Sequence, residues 1–296
     1  MKALIITNKN IKKSQYKIDR LIFESKKLDI DFDIKINDGT LSFINEEDIN
    51  ITKLKEYKFV IYLDKDFYLA SLISKSGIPC FTNGEFLHIC NDKGLTYIYG
   101  LNHQIKMVKT IFAPLRFSSL DEVDYALIDF ASSQFNYPFI IKKAFSSLGE
   151  GVFLVSNYDE AKNIYNKYFK DTLLFQEYIS SSKGKSLRVL IIDGKIFGAI
   201  LRENNDDFRS NYSIGTFSLN YELNDKEISI INHIIDVYKI NYAGIDFLFD
   251  ESNNLLLLEI NSNALFYEFE KITNKNVALE FLKMCLKYIC KKDDLI

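Results

Sequence analysis

Two carboxylates and a carboxamide are brought together by a hairpin predicted near the end of the chain. Residues 244–261 indicate two apolar strands joined by a polar turn, because the turn consists of residue types that favour tight bends. The antiparallel register follows if Asp250 pairs with Leu255. Asp246 then lies directly opposite Glu259.

Facing carboxylates in an otherwise apolar hairpin need a counter-charge. Opposed side chains on paired strands have Cβ atoms about 5 Å apart, where like charges destabilise a sheet. Asn261 shares a face with Glu259, because side chains alternate along a strand. Oxygen atoms of Asp, Glu and Asn suit a hard divalent cation, and Mg²⁺ is common beside phosphates. The spacing therefore predicts a magnesium site; the alternative is a solvated polar face in which a register slip separates the pair.

A lysine followed by a loop of small residues is suited to phosphate. Lys142 ends the predicted strand 139–142, and the loop 146–151 follows. Small residues let backbone N–H groups approach an anion, and lysine adds a compact positive charge. The loop is not a Walker loop, because no Gly-Lys-Ser/Thr follows; an ordinary hairpin turn is the alternative. The loop residues concerned are Ser146, Ser147, Gly149 and Gly151.

Further polar residues end other predicted strands. Gln176 and Glu177 end a strand that either binds the edge of a base or is simply exposed. Arg202 ends an apolar hairpin strand and either extends to solvent or reaches an anionic substrate. Arg209 lies in the polar loop 206–211, and each arginine, taken singly, is more typical of a surface ion pair.

The elements that must position these residues begin with an α/β alternation. Apolar strands at 3–7, 59–63 and 78–81 are separated by helical spacing at 14–27 and 67–75, which predicts a mostly parallel sheet with covering helices. No GxGxxG follows the first strand, so the dinucleotide fingerprint is absent. We interpret this part as a substrate-side or scaffolding domain.

The later part of the chain is richer in strand. Residues 187–202 predict a hairpin that turns at Asp193-Gly194, and amphipathic helices are predicted at 226–238 and 277–289. The predicted units are 1–82, 83–175 and 176–296.

Composition excludes several classes of protein. A 296-residue chain with 47% hydrophobic and 26% charged residues is typical of a globular protein. Its net charge of −3 gives no electrostatic reason to expect nucleic acid or anionic membrane as a partner. The four cysteines lack CxxC spacing and the three histidines lack metal-ligand spacing, which argues against disulfides, zinc and a His or Cys nucleophile. Without an apolar run long enough for a signal peptide or a membrane span, we expect a cytoplasmic protein.

Taken in order, these motifs resemble the ATP-grasp superfamily, and within it the RimK-type glutamate ligases and related lysine-biosynthesis carboxylate–amine ligases. The resemblance runs from about residue 83 to residue 278, and the first domain is similar in style only. The motifs that carry it are Asp92-Lys93, Pro138-Phe-Ile-Ile-Lys142, Phe175-Gln-Glu-Tyr-Ile179, Asp207-Phe-Arg-Ser-Asn211, Ala243-Gly-Ile-Asp246, Glu259-Ile-Asn261 and Glu270-Lys-Ile-Thr273.

The resemblance implies an α/β (α+β) ATP-grasp fold, in which an N-terminal parallel-sheet domain precedes two α+β subdomains that sandwich ATP. It also implies a role for each matching residue. The phosphates are assigned to Lys93, Lys142 and the loop 146–151, the adenine is assigned to Gln176, Glu177, Tyr178 and Ile179, and the ribose is assigned to Ser186. Two Mg²⁺ ions, for which Mn²⁺ can substitute, are assigned to Asp246, Glu259 and Asn261. The acyl phosphate or the acceptor carboxylate is assigned to Arg202 and Arg209, and Asn211 is grouped with these two arginines as catalytic.

The implied reaction is ATP-dependent amide formation through an acyl phosphate, on an amino acid, a peptide or a peptide-like metabolite, by a homo-oligomer. Two alternatives remain: a ligase that closes side-chain amides within a precursor peptide, and a nucleotide-binding regulatory module without ligase activity. The departures from the family pattern leave the phosphate and metal positions unchanged and fall at the ribose and on the substrate side. Ser186 replaces an acidic residue, Ile214 and Thr216 replace an Arg and a Gly, and 263–265 replaces a Ser-Pro-Gly turn.

Overall fold

Three β-sheets with helices packed on them form the part of the chain that the computed structural model describes, which is residues 1–9, 12, 14–44, 54–116, 124–147, 149–210 and 216–293. The strands are β1 (Lys2–Thr7), β2 (Asp31–Ile36), β3 (Val60–Tyr62), β4 (Cys80–Phe81), β5 (Thr110–Phe112), β6 (Phe139–Lys143), β7 (Val152–Val155), β8 (Leu173–Glu177), β9 (Lys185–Ile192), β10 (Lys195–Glu203), β11 (Phe217–Tyr221), β12 (Tyr242–Phe249) and β13 (Leu255–Asn261). The α-helices are α1 (Gln15–Ser25), α2 (Phe67–Lys75), α3 (Gly84–Asn91), α4 (Lys93–Gly100), α5 (Ala126–Phe135), α6 (Tyr158–Tyr168), α7 (Asp225–Tyr238), α8 (Tyr267–Thr273) and α9 (Val277–Asp293).

The first sheet is parallel, with the order β2-β1-β3-β4. Ala3 and Ile5 of β1 are buried on one face, and Leu4 and Ile6 are buried on the other. A strand buried on both faces is typical of a parallel sheet covered by helices. The α/β fold class expected from the alternation is therefore confirmed.

The second sheet is antiparallel, with the order β11-β10-β9-β12-β13. Leu190 and Ile192 of β9 join a core shared with β1, α1 and α9, whereas Val189 and Ile191 pack on the other face against α7. The turn between β9 and β10 has φ of 54° at Asp193 and 69° at Gly194. Positive φ at both central residues is typical of a two-residue hairpin.

The third sheet is also antiparallel, with the order β5-β8-β6-β7. Phe139 of β6, Phe175 of β8 and Tyr165 of α6 form its buried core. This sheet places Lys142 and Gln176 on neighbouring strands, β6 and β8. No helix within the described ranges is both long and apolar enough to cross a membrane.

Candidate active site

One face of the second sheet changes from apolar to charged along its length, and the charged end forms the floor of the candidate site. On β9 this face runs from Ile192 and Leu190 to Arg188, because side chains alternate. Arg188 pairs in register with Asp246 on β12, which pairs in turn with Glu259 on β13. Three charged side chains therefore lie side by side across three neighbouring strands.

The predicted opposition of Asp246 and Glu259 is present, but the register expected at the turn is wrong. Leu255 pairs with Phe249 and not with Asp250. The pairing shifts by one residue between Asp246 and Phe247, where Leu258 is the extra residue of a β-bulge. The bulge offsets the shift at the turn and returns Glu259 to the position opposite Asp246.

Asp246 is held by arginines on the two strands beyond it. Arg188 donates from Nε and Nη2 to the two carboxylate oxygens of Asp246, and Arg202 Nη1 on β10 lies 3.7 Å from Asp246 Oδ1. Burial lowers the pKa of the Arg188 guanidinium, but the adjacent Asp246 more than offsets this and raises it above its ordinary value. The guanidinium is therefore charged, whereas burial raises the pKa of Asp246 although Arg188 and Arg202 act in the opposite direction.

Glu259 is bordered by an amide and a lysine. Asn261 Nδ2 donates to Glu259 Oε1 and to Asp246 Oδ2, each at 3.0 Å, and Lys93 Nζ lies 3.8 Å from Glu259 Oε2. Burial raises the pKa of Glu259, but Lys93, Asn261 and Lys142 together lower it to about 2. Glu259 is therefore a carboxylate at neutral pH.

The chemistry of these side chains fits a magnesium ion. Asp246, Glu259 and Asn261 converge within hydrogen-bonding distance, and carboxylate and carboxamide oxygens are the donors that Mg²⁺ prefers. The Asn261 amide presents its oxygen to a cation after a flip, since its N and O are nearly equivalent in shape. Over the described ranges, no three His, Cys, Asp or Glu side chains cluster to hold a metal, so an ion at this hairpin would need the Asn261 oxygen in addition to the two carboxylates.

Two buried lysines lie beside this hairpin and suit an anion. Lys93 begins α4, where Asp92 caps the helix, and its Nζ donates to the carbonyl oxygen of Ser146 at 2.6 Å. Lys142 is 3% exposed, with its Nζ 5.6 Å from the centre of the Tyr97 ring. Burial and the nearby Lys93 lower the pKa of Lys142 to about 7. A bound phosphate would supply the negative charge that this buried ammonium group needs.

The small-residue loop after β6 is tied to the loop that follows β10. Gly149 and Gly151 have φ of 77° and 72°, values that glycine adopts without strain. Arg209 Nη1 donates to the Gly149 carbonyl oxygen at 3.0 Å, and Arg209 Nε donates to Asp207 Oδ1 at 3.0 Å. The guanidinium predicted to face the substrate therefore joins two loops of the pocket.

The end of the pocket beyond the lysines is suited to a base and a ribose. Gln176 Nε2 donates to Thr110 Oγ1 at 2.6 Å, and Ser210 Oγ donates to Ser186 Oγ at 2.6 Å. The rings of Tyr178 and Phe208 meet edge to face, with centroids 6.3 Å apart. The apolar wall here consists of Val108, Ile140, Val152, Phe208, Leu248 and Leu258.

One pocket collects most of the residues singled out from the sequence. Those lining it are Lys93, Lys142, Ser146, Ser147, Gly149, Gln176, Glu177, Tyr178, Ile179, Ser186, Arg202, Arg209, Asp246 and Glu259. Gly151 and Asn261 stand beside it, and Asn211 and Ile214 lie outside the described residues.

Sequence reasoning missed Arg188 and Glu268. Arg188 had a detectable signal, because it is a charged residue on the same face of its strand as Ser186. Glu268 of α8 pairs with Arg202, and no local pattern in the sequence indicates that contact. The apolar wall was missed because its residues resemble ordinary core residues.

The fold and the pocket define an ATP-grasp ligase. D-Alanine–D-alanine ligase from Bacillus anthracis, solved in complex with ATP, superimposes with a TM-score of 0.74 over 99% of each chain, at 17% sequence identity. Residues 99–285 match the model of the RimK-like ATP-grasp domain. The chain belongs to the RimK-like ATP-grasp family, whose members are enzymes that form carbon–nitrogen bonds.

Two relatives are similar over most of this chain. The Mycoplasma genitalium protein MG012 is 30% identical over 256 residues, covering 83% of this chain and 88% of the relative. N-Acetylaspartylglutamate synthase A from Homo sapiens is 24% identical over 216 residues, covering 72% of this chain and 54% of the relative. The expected family is thereby confirmed.

Proposed function

We propose that this chain is an ATP-dependent carboxylate–amine ligase that makes an amide bond through an acyl phosphate, on an amino acid, a peptide or a peptide-like metabolite. The observation that carries the proposal is the pairing, within one pocket, of two buried lysines with the hairpin that bears Asp246, Glu259 and Asn261. Such a pair of features suits a nucleotide whose phosphates are neutralised from both sides. The relative that is named for making N-acetylaspartylglutamate supports amino-acid or peptide-like substrates.

The residues of the pocket divide the reaction between them. Lys93 and Lys142 would hold the phosphates, and the hairpin with Asp246, Glu259 and Asn261 would hold Mg²⁺, which would supply further positive charge there. A substrate carboxylate oxygen attacks the γ-phosphorus, and the bond from that phosphorus to ADP breaks. An amine then attacks the acyl carbon, forms the amide and releases phosphate, while the amine loses a proton. Positioning and charge neutralisation are sufficient for this chemistry, so no Ser, Cys or His nucleophile is required.

We extend the proposal to the organisation of the chain. The three sheets support a division of the chain into units at 1–82, 83–175 and 176–296, which correspond to β1–β4, β5–β8 and β9–β13 in turn. The first unit acts as a substrate-side domain, and the other two act as nucleotide-binding subdomains. We also propose that two Mg²⁺ ions bind, that Mn²⁺ substitutes for them, and that the protein acts as a cytoplasmic homo-oligomer.

The direct test is an ADP-release screen with ATP, Mg²⁺ and a panel of amino acids and dipeptides, followed by mass measurement of the products. A product whose mass equals the two substrates minus one water is expected. ADP release without such a product would contradict amide formation. No ADP release across the panel, together with ATP binding, would favour the nucleotide-binding regulatory module.

The metal assignment predicts the effect of Glu259→Ala. The variant should lose ATP turnover at least 100-fold while it keeps its fold, because it removes a charge from the pocket and not an apolar side chain from the core. ADP release and far-ultraviolet circular dichroism measure the two effects. Glu251→Ala, on the exposed turn of the same hairpin, is the matched control and should retain full turnover. Equal turnover in both variants would exclude Glu259 as a ligand.

A further inference from the structure

Arg202 is already occupied by a carboxylate of the protein itself. Its Nε lies 2.9 Å from Glu268 Oε2 and 3.1 Å from Oε1, and its Nη2 also pairs with Glu268. Ser218 on β11 donates its hydroxyl to the same carboxylate. The side chains of Arg202 and Glu268 are 8% and 7% exposed. The Glu268 carboxylate is therefore held from two sides, by the Arg202 guanidinium and by the Ser218 hydroxyl.

This pair ends a row of alternating charges. Arg188 pairs with Asp246, Arg202 lies between Asp246 and Glu268, and the two arginines are thus matched by two carboxylates. The phosphate end of the pocket differs, because Lys93 and Lys142 face Glu259 there. Spare positive charge is available for phosphates at that end, but not around Arg202.

The position of Arg202 in the second sheet indicates which substrate it contacts. In the sheet order β11-β10-β9-β12-β13, Arg202 on β10 and Glu259 on β13 lie on opposite sides of Asp246. Lys93 approaches from the Glu259 side. A group that reaches Arg202 therefore lies across the hairpin of β12 and β13 from the phosphate lysines, on the side of the pocket that is left for the amine acceptor.

We propose that Glu268 determines the specificity for the amine acceptor. Because Glu268 already pairs with Arg202, the enzyme selects acceptors that have no carboxylate at the position facing this arginine. The inference rests on the proposed function. An acceptor carboxylate at this position would displace Glu268 from Arg202 and leave a buried carboxylate without a counter-charge, which is the arrangement that proteins use to exclude the wrong partner. A neutral group of the same size meets no such penalty.

Matched acceptors test the inference. Glutamine against glutamate, and asparagine against aspartate, differ in charge at almost constant size, both as free amino acids and as the second residue of a dipeptide. With the donor acid found in the ADP-release screen, the wild-type protein should show at least tenfold higher kcat/KM for the amide member of each pair. Glu268→Gln should lower this ratio at least tenfold, because it frees the charge of Arg202.

Two control variants separate charge from structure. Glu268→Asp keeps the carboxylate, and Ser218→Ala removes only a neutral donor, so both should keep the wild-type ratio. A wild-type protein that uses glutamate as well as glutamine overturns the inference, even if Glu268→Gln does not fold. An unchanged ratio in a folded Glu268→Gln also overturns it. Absence of any amide product from the panel overturns the proposed function instead.

Discussion

The buried Arg188–Asp246 pair is the residue-scale feature on which the candidate site depends. The side chains are 11% and 6% exposed, and the guanidinium contacts both carboxylate oxygens. Removing one member of such a pair leaves the other charge buried without a partner, which costs about 3–5 kcal/mol. The arginine thus supplies the counter-charge that the Asp246 carboxyl needs, because burial raises the pKa of this group.

Arg188→Met should therefore lower both stability and activity. We expect the free energy of unfolding to fall by about 3–5 kcal/mol and ADP release to fall at least 100-fold, measured by urea denaturation and a coupled assay. Arg20→Met is the matched control, because Arg20 forms its ion pair with Glu270 away from the pocket and is 26% exposed; it should keep ADP release.

A double variant distinguishes an uncompensated charge from lost packing. Arg188→Met combined with Asp246→Asn removes both charges, and at least half of the lost unfolding free energy should return while activity stays absent. No recovery of stability would mean that the methylene groups of Arg188, and not its charge, account for the loss.

Individual residues also show what could be predicted from composition and spacing. Asp246, Glu259 and Lys142 were identified because charged residues in apolar strands or before small-residue loops are conspicuous, whereas Lys93 was identified only from the family resemblance. The contact between Arg202 and Glu268 spans 66 positions, and no local periodicity encodes a contact between residues so far apart. The prediction for Arg202 therefore included its location in the pocket but not its partner.

At the scale of elements, the hairpin of β12 and β13 has the predicted opposition of Asp246 and Glu259, although the register predicted at its turn was wrong. Alternation alone would place Glu259 on the same face as Leu257, which is buried in the opposite core. The extra residue Leu258 reverses the alternation, so that Glu259 faces the pocket while Ile260 returns to the core. Bulges depend on sheet twist and neighbouring strands, so this one was not predictable from the hairpin sequence.

The loop after β10 is fixed by a glycine, and this contact gives an element-scale prediction. Gly184 has φ of 64°, and a Cβ there would lie 2.1 Å from the carbonyl oxygen of Asn204. Gly184→Ala should therefore displace the loop that carries Phe208 and Arg209 along the pocket wall. We expect at least a tenfold rise in KM for ATP, measured by steady-state ADP release.

Gly194→Ala provides the control for backbone strain. Gly194 has a similar φ of 69°, but the nearest atom to its Cβ would be the Ile240 carbonyl oxygen at 3.7 Å. Both variants should lose about 1 kcal/mol of stability from the left-handed conformation, while only Gly184→Ala should change KM. Equal KM values in the two variants would show that the loop does not contribute to ATP binding.

At the scale of the whole molecule, the first and last parts of the chain share one core. Residues of β1 and α1 pack with residues of β9, α8 and α9 in a single apolar cluster. The separate elements and their order were predictable from periodicity, but this packing was not, because it joins residues more than two hundred positions apart. Lys17 of α1 lies inside the shared core, and its Nζ donates to the Ala264 carbonyl oxygen at 3.1 Å.

Lys17 makes the stability of this shared core depend on pH. Burial lowers the pKa of Lys17 to about 7, whereas an unfolded lysine titrates near 10.4. Between these values the unfolded state binds more protons than the folded state, so the contribution of Lys17 to stability rises with pH and is lost as pH falls to about 7.

Lys17→Met removes the titrating group, so a comparison with the wild type shows whether protonation of Lys17 raises or lowers the free energy of unfolding. The free energy of unfolding of the variant should be higher than that of the wild type, and the difference should be largest near pH 6.5, because the folded wild type then holds a buried charge. The difference should shrink by about 3 kcal/mol between pH 7 and 9.5, at about 1.4 kcal/mol per pH unit, as measured by urea denaturation at each pH. Lys26→Met, an exposed change just after the same helix, should give a difference that is independent of pH. Parallel curves for wild type and Lys17→Met would mean that Lys17 stays charged in the core, held by Tyr242 and the Ala264 carbonyl oxygen.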